Sequence, residues 1–327
     1  MWLEEYERLL RSPQQAFQAA VDLKRQHFPR SLFKYRSVNR ENLDALRRNY
    51  VWMARAKDLN DPYDCATQLS FDAGFEDIFR ASLRDYLAAN GLADRLTEAE
   101  IQDILSSEAP SIRTAELTIG KQHEFSATHA AAFSQAIQSV LQQRGTDMNR
   151  HLAEQGRTRT NVCSFSADGT STVLWAAYAN ANQGYCVEYA PDDLPPEGII
   201  LRFLCPVLYR DGVYDGTECF LAGVRLGPNP LTVRWPILSA TRKNRKWEHE
   251  QEWRIIEPDG MTPQGGMALA MPSPRAVYLG MNMPLADEKR ILEILAYQKV
   301  PAFRMATGPD SGALLPVAFS SNIGPIP

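Results

Sequence analysis

The stretch Lys246-Trp-Glu-His-Glu-Gln-Glu-Trp-Arg-Ile-Ile256 has glutamates at alternate positions, which we call the acidic alternation, and ends in apolar residues. It carries a glutamate at every second position, namely Glu248, Glu250 and Glu252. Side chains two residues apart share one face of a β-strand, so a strand here would place the three carboxylates side by side. Adjacent carboxylates repel each other, and proteins align them where a cation, a ligand or a reaction uses them. The alternative is a solvated strand edge that carries its charges on the open face.

Segments with strand character lie on both sides of this stretch. Apolar alternation and β-branched or aromatic content predict strands at residues 32–36, 50–53, 160–166, 184–189, 199–209, 253–257 and 276–279, the fifth interrupted by Pro206. Helical spacing predicts helices at residues 2 to about 29, 40 to about 49, 173–178 and 286–297. Asn39 is placed to cap the second of these helices, and residues 60–64 have the chemistry of a turn.

The composition changes between about residues 75 and 154, where Ala, Gln, Glu and Arg dominate. This region predicts several helices, and we interpret it as an insertion or a lid-like subdomain. The tail after Gly308 is expected to be irregular. The whole pattern predicts an α+β fold with a mixed or mainly antiparallel sheet, flanking helices and an all-helical insertion. The expected organisation is an N-terminal helical segment (1–30) and a single α+β domain (31–327) with the insertion at about 75–155.

Charge and composition narrow the function classes. The 327 residues carry a net charge of −4, which argues against a general nucleic-acid coat. No apolar run approaches the roughly 20 residues that span a bilayer, so no membrane partner is expected. The five cysteines are scattered and form no CxxC pair, so neither a disulfide framework nor a structural zinc site is predicted. A reducing cytoplasm is the expected location.

Several short motifs occur together in one order. They are Lys34-Tyr-Arg-Ser37, Asn60-Asp-Pro-Tyr-Asp-Cys65, Cys163-Ser-Phe-Ser166, Leu174-Trp-Ala-Ala-Tyr-Ala179, Gln183-Gly-Tyr-Cys-Val-Glu-Tyr189, Val207-Leu-Tyr209, the 246–254 segment and Val277-Tyr-Leu-Gly280. Taken together, they resemble the bacterial and phage family catalogued as domain of unknown function 2971, from about residue 33 to residue 280 without the helical middle. That family tends to have a His where this chain has Ala177. The resemblance implies no established reaction.

The order of Arg36, Ser164-Phe-Ser166 and Glu250-Gln-Glu252 is similar to the Arg, Ser-x-Ser and Glu-x-Glu layout of one class of ADP-ribosyltransferases. The resemblance implies that Arg36 holds a phosphate or ribose of NAD, that the serines support the site, and that Glu252 binds the nicotinamide ribose. Glu250 would orient or deprotonate the acceptor. Tyr35 or Trp175, like other nearby aromatic residues, would offer a stacking face for nicotinamide.

Elementary chemistry suits these roles. A guanidinium is a planar fork that matches phosphate oxygens. A serine hydroxyl can donate to a carboxylate and fix its rotamer. A carboxylate beside an anomeric carbon can bind a ribose hydroxyl and stabilise an oxocarbenium-like transition state. The resemblance implies that the substrate is NAD, a small-molecule nucleotide, with no metal and with a protein or nucleic-acid acceptor left open. Such an activity would be consistent with a toxin or a role in phage defence.

Other interpretations remain open. Arg36 could form a structural ion pair with Glu252 across neighbouring strands. Asp61, Asp64, Glu250 and Glu252 could instead gather around Mg²⁺ for phosphodiester cleavage, with Lys243 or Lys246 on the phosphate. In a third interpretation the chain is a non-catalytic binding or sensor module, in which the acidic strand pairs with the basic run 242–246. The sequence contains no GxxxxGK[ST], HExxH or GxSxG motif, which argues against the enzyme classes that those motifs mark.

Overall fold

The computed structural model describes residues 2–12, 16–70, 73–123, 127–195, 198–220, 230–258, 266–308 and 313–319. The chain divides into two compact units. The first comprises Met1–Cys65, Arg157–Gly212 and Pro236–Pro327, and the second comprises Ala66–Gly156 and Val213–Trp235. Among the described residues, no helix combines the length and the apolar character that a membrane crossing requires.

The strands are short, and most belong to the first unit. In chain order they are β1 (Leu32–Arg36), β2 (Tyr50–Arg55), β3 (Thr67–Gln68), β4 (Thr160–Ser166), β5 (Tyr185–Tyr189), β6 (Leu204–Pro206), β7 (Leu208–Tyr209), β8 (Tyr214–Asp215), β9 (Arg242–Lys243), β10 (Glu252–Pro258), β11 (Met267–Ala270), β12 (Ala276–Leu279), β13 (Ala302–Thr307) and β14 (Leu314–Ala318). Strands β3 and β8 pair within the second unit, and β7 pairs with β9 within the first.

Ten of the described strands form the main sheet of the first unit, in the order β11-β2-β4-β1-β5-β12-β13-β14, with β10 paired to both β4 and β6. Its pairings are antiparallel except for the parallel pair β12–β13. The mixed, mainly antiparallel sheet with flanking helices confirms the predicted α+β class.

The helices are α1 (Trp2–Arg11), α2 (Phe17–Arg25), α3 (Arg40–Arg48), α4 (Ala73–Ala89), α5 (Glu98–Ser106), α6 (Pro110–His123), α7 (Ala127–Arg159), α8 (Thr172–Tyr178), α9 (Ile199–Phe203), α10 (Pro230–Ala240) and α11 (Leu285–Gln298). The Asn39 side chain accepts a hydrogen bond from the Asn42 N–H, as expected of a helix cap. In the second unit, α4 to α6 bury a small core of leucines and isoleucines.

Alternation along the central strands gives the sheet two different faces. Val51 and Met53 of β2, Cys163 and Phe165 of β4, and Trp253 and Ile255 of β10 all enter one hydrophobic core. Residues at the intervening positions therefore point to the opposite face. On that face, β4 and β10 carry serine, glutamate and arginine side chains, and the candidate site forms there.

Four sequence predictions are wrong in detail. The segment predicted as one helix over residues 2–29 is two helices, α1 and α2. Residues 199–203, predicted as part of a strand, form α9, because a short apolar run does not distinguish a buried strand from a buried helical turn. The tail predicted to be irregular contributes β14, which pairs with β13; residues 309–312 and 320–327 lie outside the described part. The acidic alternation is not a single strand, for the reason given below.

Candidate active site

A split in the sheet positions the site. One edge of β4 pairs with β10 from Glu252↔Ser166 to Pro258↔Thr160. The other edge is shared, because β2 pairs with it only at residues 161 and 162 and β1 pairs with it only at Ser166. In the described chain, neither strand pairs with residues 163–165, where β1 and β2 diverge. The Lys34 ammonium fills part of this gap and donates to the Ser164 carbonyl oxygen at 2.5 Å.

A cavity of about 300 Å³ lies at this split. It is lined by cationic, acidic and aromatic side chains, all from the first unit. The charged and hydroxyl-bearing lining residues are Lys34, Arg36, Asp58, Asp61, Asp64, Ser164, Ser166, Lys243, Glu250 and Glu252; the aromatic ones are Phe33, Tyr35, Trp52, Phe165, Tyr178 and Trp247. Its volume is at the lower end of the range for small-molecule sites.

The acidic segment enters the cavity through a turn rather than as a strand. Residues Arg245–Glu250 form a 3₁₀ helix, which the Asn244 side chain caps by accepting from the Lys246 N–H at 3.0 Å. Gln251 then adopts a left-handed conformation (φ 45°), and β10 begins at Glu252. The prediction of three aligned carboxylates is therefore wrong. Glu248 is exposed, whereas Glu250 and Glu252 are each only 5% exposed.

Glu252 is held on both carboxylate oxygens. Arg254 donates to it through Nε at 2.7 Å and through Nη2 at 2.9 Å, and Lys243 donates through Nζ at 2.8 Å. Burial alone would raise the pKa of Glu252. The charges and hydrogen bonds of Arg254 and Lys243 outweigh burial and hold that pKa well below its ordinary value. The backbone N–H of Glu252 donates to the Tyr209 hydroxyl at 2.8 Å, which fixes the start of the strand.

Glu250 is held by a phenol and the same lysine. The Tyr178 hydroxyl donates to Oε1 at 2.6 Å, and Lys243 Nζ donates to Oε2. Lys243 thus bridges both glutamates. Burial alone would lower the pKa of Lys243, but the charges of Glu252, Asp64 and Glu250 raise that pKa above its ordinary value. Ser166 positions Glu250 through the backbone, since its hydroxyl donates to the Glu250 carbonyl oxygen at 2.7 Å. The acceptor of the Ser166 hydroxyl is thus a backbone carbonyl oxygen and not a carboxylate.

Arg254 links the glutamates to the turn after β2. It is 0% exposed, and its Nη2 lies 3.0 and 3.1 Å from the two carboxylate oxygens of Asp64. Its Nη1 donates to the Ala240 carbonyl oxygen at 2.8 Å. Burial raises the pKa of Asp64 in spite of the attraction of Arg254. Two cations and three carboxylates thus form one connected network, which we call the charged network: Lys243, Arg254, Asp64, Glu250 and Glu252.

The structure brings most of the residues singled out in the sequence to this cavity. Those that line it are Tyr35, Arg36, Ser164, Ser166, Glu250 and Glu252. Trp175 does not line it. That side chain is 0% exposed, its indole N–H donates to the Gly169 carbonyl oxygen at 2.9 Å, and its ring packs edge-on against Tyr35. Trp175 therefore supports the strand that carries Tyr35 and offers no stacking face to a ligand.

Arg36 does not pair with Glu252, so the interpretation of these two residues as a cross-strand ion pair is wrong. Among the residues that the structure describes, the Arg36 guanidinium makes no ion pair or side-chain hydrogen bond. Its backbone is held closely, because a Cβ atom at Gly184 would lie 2.1 Å from the Arg36 carbonyl oxygen. Only glycine fits there. The cavity is therefore lined by a cation on a firmly placed strand, and no anion within the described ranges pairs with it.

The four carboxylates considered for a metal also line the cavity, but protein cations lie between three of them, namely Glu250, Glu252 and Asp64. Lys243 bridges Glu250 and Glu252, and Arg254 bridges Glu252 and Asp64. Within the described ranges, no group of three or more His, Cys, Asp or Glu residues is arranged to hold a metal ion. Lys243 is committed to these carboxylates, and Lys246 is exposed on the 3₁₀ helix.

Sequence reasoning missed three contributors. Lys34 lies two residues after the core residue Leu32 on β1 and so shares its face, and nothing in the sequence indicates that the split would admit its ammonium. Trp52 is 47% exposed and lies between the buried Val51 and Met53, so alternation along β2 could have assigned it to the polar face. Arg254 lies two residues after Glu252 on one strand, a spacing that indicates an ion pair on the same face.

All five cysteines are buried and form no disulfide bond.

None of the protein-family models, curated proteins or solved structures with which the chain was compared matches it.

Proposed function

We propose that the cavity binds NAD and cleaves the bond between its nicotinamide and ribose, transferring ADP-ribose to water or to an acceptor hydroxyl. One observation carries the proposal: the same cavity is lined by the carboxylate of Glu250 and by Arg36, an arginine that pairs with no anion in the part of the chain that the structure describes. A substrate that combines an anionic group with an electrophilic carbon complements such a site. The similarity of the Arg, Ser-x-Ser and Glu-x-Glu layout supports the same reaction class.

The cationic side of the cavity suits the pyrophosphate. Arg36 presents a planar guanidinium that is free, in the described chain, to form two parallel hydrogen bonds to phosphate oxygens. Lys34 adds a second positive charge beside it, although its ammonium already donates to the Ser164 carbonyl oxygen. Burial lowers the pKa of Lys34, which weakens its hold on the positive charge. Arg36 is therefore the principal phosphate ligand in this proposal.

The acidic side suits the reaction itself. The C–N bond from the ribose anomeric carbon breaks, and its electron pair moves to the nicotinamide nitrogen, which becomes neutral. A C–O bond forms from water or an acceptor hydroxyl, and the proton of that hydroxyl passes to Glu250 as general base. Tyr178 and Lys243 hold the Glu250 carboxylate in one orientation for this step. Negative charge near the anomeric carbon stabilises the oxocarbenium-like transition state.

Glu252 has a supporting role in this proposal. Its two carboxylate oxygens already accept three N–H donors, so it is poorly placed to take ribose hydroxyls as well. We infer that it keeps Lys243 and Arg254 in place and thereby orients Glu250. This assignment changes the role that the layout alone implies for Glu252, and it makes Glu250 the residue whose removal should affect chemistry most.

The same proposal includes a protein or nucleic-acid acceptor, the resemblance to domain of unknown function 2971, and a role in toxicity or phage defence. Five buried free thiols are compatible with a reducing compartment such as the cytoplasm. A metal-dependent phosphodiesterase would need a divalent ion to displace Lys243 or Arg254. A binding module would use the same pocket without turnover.

The test is nicotinamide release from NAD by purified protein with EDTA present throughout. We expect release by the wild type, a loss of about 10²- to 10⁴-fold in Glu250→Gln as for other general bases, and no loss in Glu248→Gln. The last variant is a matched control, because Glu248 is exposed in the same segment and lies outside the cavity. NAD binding without release would favour the binding module. Activity that appears only with Mg²⁺ and nucleic acid would overturn the proposal in favour of the phosphodiesterase.

A further inference from the structure

Asp61 differs from the other buried carboxylates of the cavity. It lines the cavity and is only 8% exposed. Its Oδ1 accepts the backbone N–H of Tyr63 at 2.9 Å, and within the described ranges its other oxygen has no hydrogen-bond donor and no cation. By contrast, Asp64, Glu250 and Glu252 each receive at least one protein cation. Asp61 is thus a buried acceptor with spare capacity.

The turn around Asp61 keeps it in this position. Pro62 follows it, the Asp64 N–H donates to the Asp61 carbonyl oxygen at 3.1 Å, and the Tyr63 ring projects outward and is mostly exposed. Burying a carboxylate costs less when both of its oxygens receive hydrogen-bond donors. The chain therefore holds a carboxylate at the cavity wall in a state that a ligand with O–H or N–H donors would improve.

We propose that Asp61 binds the two adjacent hydroxyls of the ribose next to the bond that is cleaved, and so selects a ribosylated substrate. The inference rests on the proposed function and moves the ribose contact from Glu252 to Asp61. A carboxylate can accept from both hydroxyls of a vicinal diol, as an acidic residue does for ribose in other dinucleotide sites. Because Asp64 lies three residues after Asp61 in the same turn and belongs to the charged network, the bound ribose lies on the acidic side of the cavity.

The experiment compares the binding of ADP-ribose and ADP by calorimetry. ADP-ribose carries the terminal ribose and lacks nicotinamide, so its advantage over ADP reports on that sugar alone. We expect the wild type to prefer ADP-ribose, and Asp61→Asn to weaken ADP-ribose binding by about 10- to 100-fold, as for hydrogen bonds to a charged group. Binding of ADP should stay within about 2-fold. Asparagine retains the Oδ1 that accepts from Tyr63, so the turn is preserved.

Asp192→Asn is the control, since Asp192 is an exposed aspartate outside the cavity; it should bind both ligands as the wild type does. Equal binding of ADP-ribose by Asp61→Asn and the wild type would overturn the assignment of Asp61 while leaving nicotinamide release to decide the reaction. An Asp61-dependent preference for ADP-ribose without any nicotinamide release would support the ribose contact and reject the reaction. If the wild type bound neither ligand, both proposals would fall.

Discussion

Replacing Arg254 by methionine tests whether the charged network holds the site together. Methionine keeps much of the aliphatic stem but supplies no N–H donor. The change removes the donors to Glu252, to Asp64 and to the Ala240 carbonyl oxygen. It leaves three carboxylates with one cation, Lys243. Asp64 then keeps no ion-pair partner among the described residues and stays buried.

The magnitude follows from the burial of the network. Removing one partner of a buried ion pair costs about 3 to 5 kcal/mol, because a charge is left in the interior without compensation. Glu252→Gln should cost less, at about 2 kcal/mol, the scale of hydrogen bonds to charged groups. After that change two carboxylates still face two cations, and both Lys243 and Arg254 keep a carboxylate partner.

The assay is equilibrium unfolding in urea, followed by circular dichroism. With an m-value of about 3 kcal/mol/M, a loss of about 4 kcal/mol lowers the midpoint by about 1.3 M. Adding Asp64→Asn to Arg254→Met should recover part of the loss, because it removes the stranded charge. A midpoint shift larger for Glu252→Gln than for Arg254→Met, or no recovery in the double variant, would refute this account of the network.

Three further predictions follow from the same geometry. The pKa of Glu252 is lowered in the folded protein, so the stability that its carboxylate contributes is present above the ordinary pKa of 4.5 and is lost as the pH falls through the folded pKa. The difference in free energy of unfolding between the wild type and Glu252→Gln should therefore become smaller as the pH of urea unfolding is lowered. A difference that stays constant with pH would contradict the lowered pKa. Arg36→Met should weaken ADP-ribose binding by about 10- to 100-fold while leaving the free energy of unfolding within about 0.5 kcal/mol, and a large stability loss by urea unfolding would show a structural role instead. Ser166→Ala should lower the free energy of unfolding by about 1 to 3 kcal/mol, because the Asp168 N–H loses its acceptor and the Glu250 carbonyl loses its donor; unchanged unfolding would mean that water replaces the hydroxyl.

Local pattern was sufficient for much of the fold. The strands Leu32–Arg36, Thr160–Ser166 and Ala276–Leu279 begin and end where their apolar alternation predicts. Asn39 caps its helix as its side-chain chemistry requires. In each case the residues of the segment itself are sufficient to predict its secondary structure. The α+β class follows from the order of such segments.

Pattern failed where the backbone leaves regular geometry. The acidic alternation implied one strand, but the 3₁₀ helix and the left-handed Gln251 break the two-residue period between Glu250 and Glu252. No side chain in the segment requires a left-handed residue at that position. The aromatic ring of Trp175 suits stacking on a ligand, and its sequence context does not show that tertiary packing buries it in the core.

The sequence by itself determined which polar side chains share a face of β4 and β10, since alternation alone places Ser164 with Ser166 and Glu252 with Arg254. Only the tertiary structure decided which charges meet. Asp64 and Arg254 lie 190 residues apart, and their pairing depends on β10 lying against one edge of β4 while β1 and β2 diverge along the other. Charge pairing depends on distance and burial, and strand alternation specifies a face but not the neighbour across it. For that reason only the tertiary structure shows that both carboxylate oxygens of Glu252 accept hydrogen bonds from Arg254 and Lys243, whereas one oxygen of Asp61 has no donor among the described residues.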